Sequence, residues 1–246
     1  MIRVFLLAML AICSRYVLCG RYNLTKPKDV VERFGFMDWT DKRPEPRFNI
    51  APSQEILTIV QPPDGPAVVQ TATWGLKPFW FKRAGKRPPP INARGETLTS
   101  SPMFRDALAT GRCLIPATGF YEWRATGPKD RQPMHIQLAD GGVFAFAGLW
   151  LPGKRDGGLP SAAIITTTPN ELMATIHTRM PAILRPEDEA AWLDPHLTDP
   201  SQAIALVKPY PAEAMHAYPV SALVNSWENE GPALIAPITP TVQLSF

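Results

Sequence analysis

The stretch Arg112-Cys113-Leu114-Ile115-Pro116-Ala117-Thr118-Gly119-Phe120-Tyr121-Glu122-Trp123 decides the fold class. It predicts two consecutive strands, at residues 113–116 and 119–123, because apolar and aromatic side chains dominate both segments. Three more strands are predicted after it, at 134–138, 143–149 and 162–168. Strands that follow one another in this way lack the strict strand–helix alternation of a doubly wound sheet. We therefore predict an α+β fold, a single domain with a curved, barrel-like, mostly antiparallel mixed sheet flanked by short helices.

The remaining elements follow from hydrophobic periodicity and from the positions of glycine and proline. Two earlier strands are predicted at 56–60 and 67–74, with a loop at Phe48-Asn49-Ile50-Ala51-Pro52 before them. A long proline-rich loop is predicted at 75–90. Helices are predicted at 28–36, 98–109, 170–176, 187–193 and 201–207.

Residues 1–18 form an apolar leader in front of Cys19, and three interpretations of it stay open. The length of the apolar stretch is typical of a signal peptide, but Leu18 is bulky where the peptidase needs a small residue. Translation could instead begin at Leu18, or the leader could be removed by the protein itself. The second and third interpretations expose Cys19 as the first residue of a catalytic domain at 19–246. An N-terminal cysteine carries an amine and a thiol on adjacent carbons, so it can condense with an aldehyde and close to a thiazolidine.

Composition indicates one globular domain that is large enough to bury a core. Hydrophobic residues make up 45% of the chain and charged residues 19%. The formal net charge is +3, but when Arg3 and Arg15 of the leader are left out the chain has 23 basic and 22 acidic residues. Net charge is therefore no argument for nucleic-acid binding. Three cysteines form no disulfide framework, and Cys113, in an apolar run, is predicted to be buried. We expect a cytoplasmic monomer without a membrane span.

Between Asp64 and Glu96 the chain has no acidic residue, and basic side chains alternate there with aromatic ones. Such a window suits a single-stranded nucleic acid, with cations on phosphates and aromatic rings on bases. The alternative is an exposed loop whose aromatic rings fold back onto the core. The residues concerned are Lys77, Lys82, Arg83, Lys86, Arg87 and Arg94, with Trp74, Phe79, Trp80 and Phe81.

Three further side chains are candidates for chemistry. Asn92 opens the segment Asn92-Ala93-Arg94-Gly95-Glu96-Thr97, and its amide can both donate and accept a hydrogen bond. Glu122 stands among aromatic residues, where burial raises a carboxyl pKa toward the range useful for acid–base work. His177 lies in Ile176-His177-Thr178-Arg179-Met180-Pro181. Each could also be an ordinary surface or structural residue, as we expect for His135, His196 and His216. The scattered histidines predict no metal, and we expect no cofactor.

These blocks, in this order, resemble the SOS response-associated peptidase (SRAP) family of abasic-site processing proteins, from Cys19 to about Glu230. The similarity rests on Cys19-Gly20-Arg21-Tyr22, on the segments that begin at Asn92 and Ile176, and on residues 112–123. Gly95 departs from the pattern, because many members have a larger side chain there. By this resemblance Cys19 is the catalytic cysteine, surrounded by Asn92, Glu122 and His177. The positions that would hold single-stranded DNA are Arg21, Asn49, Pro52, Trp74, Phe79, Trp80, Arg94, Thr166 and Arg179.

The resemblance implies an enzyme that exposes Cys19 by autoproteolysis and then forms a covalent thiazolidine with abasic single-stranded DNA during the response to DNA damage. Three other interpretations remain. A cysteine peptidase acting on other proteins would use Cys19, His177 and Glu122 and would need no free amine. A noncatalytic single-strand binding module would form no covalent complex. An exported protein would keep the leader as a signal.

Overall fold

The computed structural model describes residues 19–35, 44–81, 88–153 and 158–239. The leader and four basic residues of the predicted nucleic-acid loop (Lys82, Arg83, Lys86 and Arg87) lie outside them. The strands are β1 Tyr22–Leu24, β2 Arg47–Ile50, β3 Glu55–Val60, β4 Val68–Trp74, β5 Asn92–Arg94, β6 Arg112–Ala117, β7 Gly119–Ala125, β8 Arg131–Leu138, β9 Phe144–Leu151, β10 Ser161–Thr167, β11 Met180–Pro181 and β12 Met215–Pro219. The helices are α1 Pro27–Phe34, α2 Arg105–Thr110, α3 Glu171–Ala174, α4 Pro186–Leu193 and α5 Pro200–Ala205. Short 3₁₀ turns lie at Gly95–Thr97, Ala212–Ala214, Ala222–Asn225 and Pro232–Leu234.

Five strands close into a barrel. β4 pairs with β3, β3 with β6, β6 with β9 and β9 with β10, all antiparallel, and β10 returns to β4 in a parallel pairing. Two short strands extend it at β10, with β5 parallel and β11 antiparallel to that strand. The predicted curved and mostly antiparallel mixed sheet is thereby confirmed.

A second sheet is fully antiparallel and has the order β12-β8-β7-β1-β2. Its central pairing brings Tyr22 of β1 opposite Phe120 of β7. Cys19 lies three residues before Tyr22, and Glu122 two residues after Phe120. Because the two strands run in opposite directions, this register brings Cys19 beside Glu122.

The hydrophobic core has two main parts, since successive side chains of a strand point to opposite faces. The inner cluster joins Cys113 and Ile115 of the barrel to Tyr22 and Phe120 of the five-stranded sheet. The outer cluster packs the barrel against helices α2, α4 and α5. Gly148 keeps the inner cluster close-packed, because a Cβ there would lie 2.7 Å from the sulfur of Cys113.

Arg112 ties two helix ends to strand β6. Its buried guanidinium donates to the carbonyl of Leu108 at 2.7 Å, to that of Trp192 at 2.7 Å and to that of Asp194 at 2.5 Å. These carbonyls belong to the last turns of α2 and α4, where a cation is favourable. One side chain thus holds the helical layer against the barrel.

Some predicted elements differ from the structure. The helix predicted at 98–109 is wrong in extent: only Arg105–Thr110 is α-helical, after the 3₁₀ turn Gly95–Thr97. Pro102 interrupts the pattern, because it has no N–H and disfavours helical backbone before it. The loop predicted at residues 48–52 begins with strand β2. Within the described ranges, every helix is too short or too polar to cross a bilayer.

Candidate active site around Cys19 and Glu122

Cys19 and Glu122 meet in the buried layer between the barrel and the five-stranded sheet. Cys19 is fully buried, belongs to the inner cluster, and has a φ of 45° in the left-handed region. Its backbone N–H donates to Oε2 of Glu122 at 3.1 Å, across 103 residues of chain. The other carboxyl oxygen, Oε1, accepts from the N–H of Trp123 at 3.3 Å. In the printed chain the Cys19 nitrogen belongs to the peptide bond that follows Leu18.

The electrostatics of this pair follow from burial. Removal from water raises the pKa of Glu122 to about 7, although the N–H groups of Cys19 and Trp123 partly oppose the shift. Burial, and then the Glu122 charge, raises the pKa of the Cys19 thiol well above its usual range. A carboxyl that titrates near neutral pH can both accept and return a proton. Glu122 is therefore suited to move protons at the Cys19 nitrogen, while the thiol stays protonated.

Asn92 and His177 each neighbour a residue of the inner cluster, in the sheet register and along the chain respectively. Asn92 opens β5 opposite Ile164, and His177 follows Ile176 after helix α3; both isoleucines share the cluster of Cys19. The Nδ1 atom of His177 accepts from the N–H of Arg179 at 3.2 Å, so the neutral ring carries its proton on Nε2. Burial is the main reason why the His177 pKa is lowered.

Arg179 joins three segments of the barrel rim. Its Nη1 and Nη2 atoms each lie 2.8 Å from one oxygen of Glu96, and Nη2 also donates to the Thr166 carbonyl at 2.8 Å. Arg94, opposite Thr166 in the strand register, is exposed beside them. Sequence reasoning gave Glu96 no role, although it lies in the same short segment as Asn92 and Arg94.

Gly95 has a packing reason in this chain. A Cβ there would lie 3.0 Å from Cγ1 of Val207 and 3.4 Å from the Thr166 carbonyl. The close approach leaves little room for a larger side chain at this position. It also presses the turn that carries Glu96 against the end of β10.

Arg21 and Asn49 face into the protein. The Arg21 guanidinium donates to Oδ1 of Asn49 at 2.9 Å and to the carbonyls of Val224 at 2.7 Å and Asn225 at 3.1 Å. The Asn49 amide donates to the carbonyl of Ser226 at 2.8 Å. Both side chains are buried and hold the segment Val224–Asn229 beside β1. Sequence reasoning missed this segment, because no pattern in it signals a contact with β1.

The predicted DNA-binding aromatic residues divide by exposure. Phe79 is 90% exposed and Trp80 44%, so both present rings to the solvent. Trp74 is fully buried, and its indole N–H donates to the Ile91 carbonyl at 2.9 Å. Trp74 therefore packs beneath the predicted proline-rich loop at 75–90, and its indole ring has no exposed face on which a base could stack. Pro52 is half-buried in the turn after β2, and Thr166 is buried.

His135 belongs to a buried polar network in the five-stranded sheet. Its Nε2 lies 2.7 Å from Nδ2 of Asn23, whose Oδ1 accepts from the Thr118 hydroxyl at 2.7 Å. Burial lowers the pKa of His135 to about 4.

Cys113 is buried, as predicted. In the part of the chain that the structure describes, no three His, Cys, Asp or Glu side chains are grouped to hold a metal ion.

The chain is similar to a family of known proteins and to several of its members. The model of the family "SOS response associated peptidase (SRAP)" matches residues 18–227. The chain is 44% identical over 222 residues to the abasic site processing protein YoqW of Bacillus subtilis, covering 89% of this chain and 99% of that one. It is 32% identical over 200 residues to the abasic site processing protein YedK of Escherichia coli, covering 80% and 87%.

Solved structures share the fold. A protein from Bacteroides thetaiotaomicron superposes with a TM-score of 0.76 at 27% identity, covering 90% of this chain and 100% of its own. A phage-related protein from Bordetella bronchiseptica gives a TM-score of 0.64 at 32% identity, covering 82% and 94%. Since the family match extends over most of the chain and includes both Cys19 and Glu122, this protein belongs to the SRAP family.

Proposed function

We propose that this protein captures abasic sites in single-stranded DNA by forming a thiazolidine with Cys19, after the bond before Cys19 has been cleaved. The observation that carries the proposal is the buried 3.1 Å contact between the Cys19 nitrogen and Oε2 of Glu122. The Glu122 carboxyl, whose pKa is about 7, is hydrogen-bonded to the nitrogen that would attack the aldehyde. The names of the relatives, abasic site processing proteins, supply the substrate.

The first step forms an imine. The neutral Cys19 amine attacks the aldehyde carbon of the ring-opened sugar, and Glu122 carries one proton from that nitrogen to the former carbonyl oxygen, which gives a carbinolamine. Glu122 then protonates the hydroxyl, the C–O bond breaks and water leaves, and the carboxylate recovers its proton from the nitrogen as the C=N bond forms. The ordinary pKa of an α-amine is about 8, so a useful fraction is neutral at physiological pH.

The second step closes the ring. Sγ of Cys19 bonds to the imine carbon, the C=N bond becomes single, and the thiol proton passes to the nitrogen by way of Glu122. One water leaves overall, and no redox partner is needed. Burial keeps the thiol protonated until the imine forms, because Glu122 and the apolar surroundings both raise its pKa. The amine therefore reacts before the sulfur.

His177 and Asn92 would assist the sugar. With its proton on Nε2, His177 can donate to the ring oxygen while the sugar opens, and its lowered pKa keeps the ring neutral. Asn92 would orient the amine through its amide. Glu122 also lies where it can protonate the nitrogen that leaves when the bond after Leu18 is hydrolysed.

The exposed rings of Phe79 and Trp80, with the exposed side chains of Lys77 and Arg94, would form the DNA-binding surface. Stacking tolerates any base sequence, which suits a protein that looks for a lesion. Five predicted DNA-binding residues have side chains that bond or pack within the protein, and we propose that they shape this surface from beneath. They are Arg21, Asn49, Trp74, Thr166 and Arg179.

The decisive experiment mixes the purified protein with a single-stranded oligonucleotide that holds one abasic site. We expect a denaturation-resistant complex whose intact mass equals protein that begins at Cys19 plus DNA minus one water. A chain with its Cys19 amine acetylated should form none, whereas a peptidase acting on other proteins would keep its activity. A crosslink formed by the acetylated chain would refute the proposal.

Cys19→Ala separates the two steps. A Cys19→Ala chain that begins at residue 19 keeps the α-amine and can still form the imine with the abasic site. Borohydride should reduce that imine and trap the complex. Without borohydride no stable complex should form. Cys113→Ser is the matched control, because Cys113 is the other described free thiol and is also buried. It should crosslink as the unaltered protein does. A stable complex of Cys19→Ala without borohydride would contradict the role of the sulfur.

A further inference from the structure

The described geometry of Cys19 is that of a residue whose nitrogen carries an acyl group. In the printed chain this nitrogen is bonded to the carbonyl carbon of Leu18, so it has a single hydrogen. That hydrogen is donated to Oε2 of Glu122 at 3.1 Å, while Oε1 accepts from the N–H of Trp123 at 3.3 Å. Although Cys19 is fully buried, its nitrogen can therefore be acylated and still keep its contact with Glu122.

Transfer of an acyl group to this nitrogen needs the same proton movements as formation of an imine. An amine that attacks an ester loses a proton, and the alcohol that leaves the ester gains one. Glu122 contacts the nitrogen that would lose the proton, and a carboxyl with a pKa of about 7 can accept and return it near neutral pH. The pair of Cys19 and Glu122 is thus equipped to form an amide as well as an imine.

The sulfur of Cys19 is not needed for an amide and is a poor nucleophile in this site. The thiolate is the reactive form of a cysteine. Burial, and then the Glu122 charge, raises the pKa of the Cys19 thiol well above its usual range, so the sulfur stays protonated. Burial also raises the pKa of Cys113, the other described free thiol. An ester carbon that enters the site is therefore attacked by the amine.

An abasic sugar can present an ester at the atom that otherwise becomes the aldehyde carbon. The unoxidised sugar opens to an aldehyde at C1′, whereas a sugar oxidised at C1′ is a lactone, a cyclic ester with its carbonyl on that same carbon. Both carbons have the same place in the strand. The surface that we assign to Phe79 and Trp80 would therefore bring either of them to Cys19.

We propose that this protein also captures abasic sites oxidised at C1′, by acyl transfer from the lactone to the Cys19 nitrogen. The amine attacks the C1′ carbonyl carbon, and Glu122 takes a proton from the nitrogen. The bond between C1′ and O4′ then breaks, O4′ receives that proton and becomes the alcohol on C4′, and an amide joins Cys19 to the strand. No atom is lost and no redox partner is needed. The proposal rests on the proposed function for DNA binding and for the free amine.

The test is the intact mass of the covalent complex. Protein that begins at Cys19 is mixed with a single-stranded oligonucleotide that holds one 2-deoxyribonolactone, and samples are denatured in acid at a series of times. We expect the mass of protein plus DNA with no water lost, whereas the ordinary abasic oligonucleotide should give protein plus DNA minus one water. Trypsin should leave the DNA remnant on Cys19-Gly20-Arg21, which excludes a reaction of surface lysines.

Cys19→Ala distinguishes the two reactions. A chain of this variant that begins at residue 19 keeps the amine, so it should form the stable complex with the lactone although it forms none with the ordinary abasic site without borohydride. Glu122→Gln should lower both capture rates about a hundredfold, because both reactions lose their acid–base group. Cys113→Ser is the matched control and should react with both oligonucleotides as the unaltered protein does.

Two results would overturn the proposal. One is an ordinary abasic crosslink together with a lactone that leaves Cys19 unmodified at every time, and in that case the proposed function would stand. The other is a lactone complex that Cys19→Ala fails to form or that hydroxylamine cleaves, since the acyl group would then be on the sulfur. If the lactone formed an amide and the ordinary abasic site formed no crosslink, the proposed function would fail and the acyl transfer would stand.

Discussion

Replacing Glu122 by glutamine should stabilise the fold near neutral pH while it slows the capture of DNA. The Glu122 carboxyl is buried, and its pKa rises from 4.5 to about 7 because the charged form loses its hydration. Between these values the folded protein binds more protons than the unfolded chain. The contribution of Glu122 to stability is therefore fully present below pH 4.5 and is lost as the pH rises through 7.

The magnitude follows from the same shift. A rise from 4.5 to about 7 corresponds to about 3 kcal/mol of unfolding free energy, at about 1.4 kcal/mol for each pKa unit. A glutamine does not titrate, so the difference in unfolding free energy between variant and parent should grow by this amount from pH 4 to pH 8. If the glutamine no longer accepts the hydrogen bond from the Trp123 N–H, the free-energy difference shifts by the same amount at every pH. Its dependence on pH stays as stated.

Urea unfolding at several pH values measures the effect. Both chains should carry Cys19→Ala and should keep the residues before it, which intact mass verifies, so that no ammonium group at residue 19 lies beside the carboxyl. Glu213→Gln, which removes an exposed carboxylate, is the control and should follow the parent. A free-energy difference that stays constant from pH 4 to pH 8 would refute the buried titration. In the chain with a free Cys19, Glu122→Gln should also lower the crosslinking rate about a hundredfold, the usual contribution of an acid–base group.

Three further predictions concern other parts of the molecule. Burial lowers the pKa of His135 from 6.5 to about 4, so its contribution to stability is present above pH 6.5 and is lost as the pH falls through 4. In urea unfolding, His135→Gln should remove about 3 kcal/mol from the change of unfolding free energy over this pH range. His216→Gln is the control and should leave the change as it is in the parent. Trp80→Ala should weaken binding of an undamaged single strand by about 1 kcal/mol or more in fluorescence anisotropy, whereas Val68→Ala, at another exposed apolar residue, should leave it unchanged. Arg112→Met should lower the free energy of unfolding by about 3 kcal/mol, because the carbonyls of Leu108, Trp192 and Asp194 lose their hydrogen-bond donor. A thermal melt measures the effect, and an unchanged melting temperature would show that the guanidinium does not stabilise the fold.

Much of the fold class could be predicted because the deciding signals are local. Alternation of apolar residues and the absence of intervening helices predicted consecutive antiparallel strands. The closure of the barrel depends on the pairing of β4 with β10, which are far apart in the chain. The short strands β1, β11 and β12 also escaped prediction, because a run of two to five residues gives too little periodicity.

For the candidate site, the sequence determined which reactive groups the chain possesses. Cys19, with Asn92, Glu122 and His177, stood out from residue chemistry and from the resemblance of their neighbouring segments. The sequence also predicted that burial among aromatic residues would raise the Glu122 pKa, and the structure agrees.

Only the tertiary structure decided which of these groups touch and which face water. The contact between Cys19 and Glu122 spans 103 residues and exists because β1 pairs with β7. Trp74 and Trp80 lie in one aromatic window, yet one is fully buried and the other 44% exposed. Local sequence records the chemical nature of a side chain, whereas its surroundings come from segments that fold onto it from elsewhere in the chain.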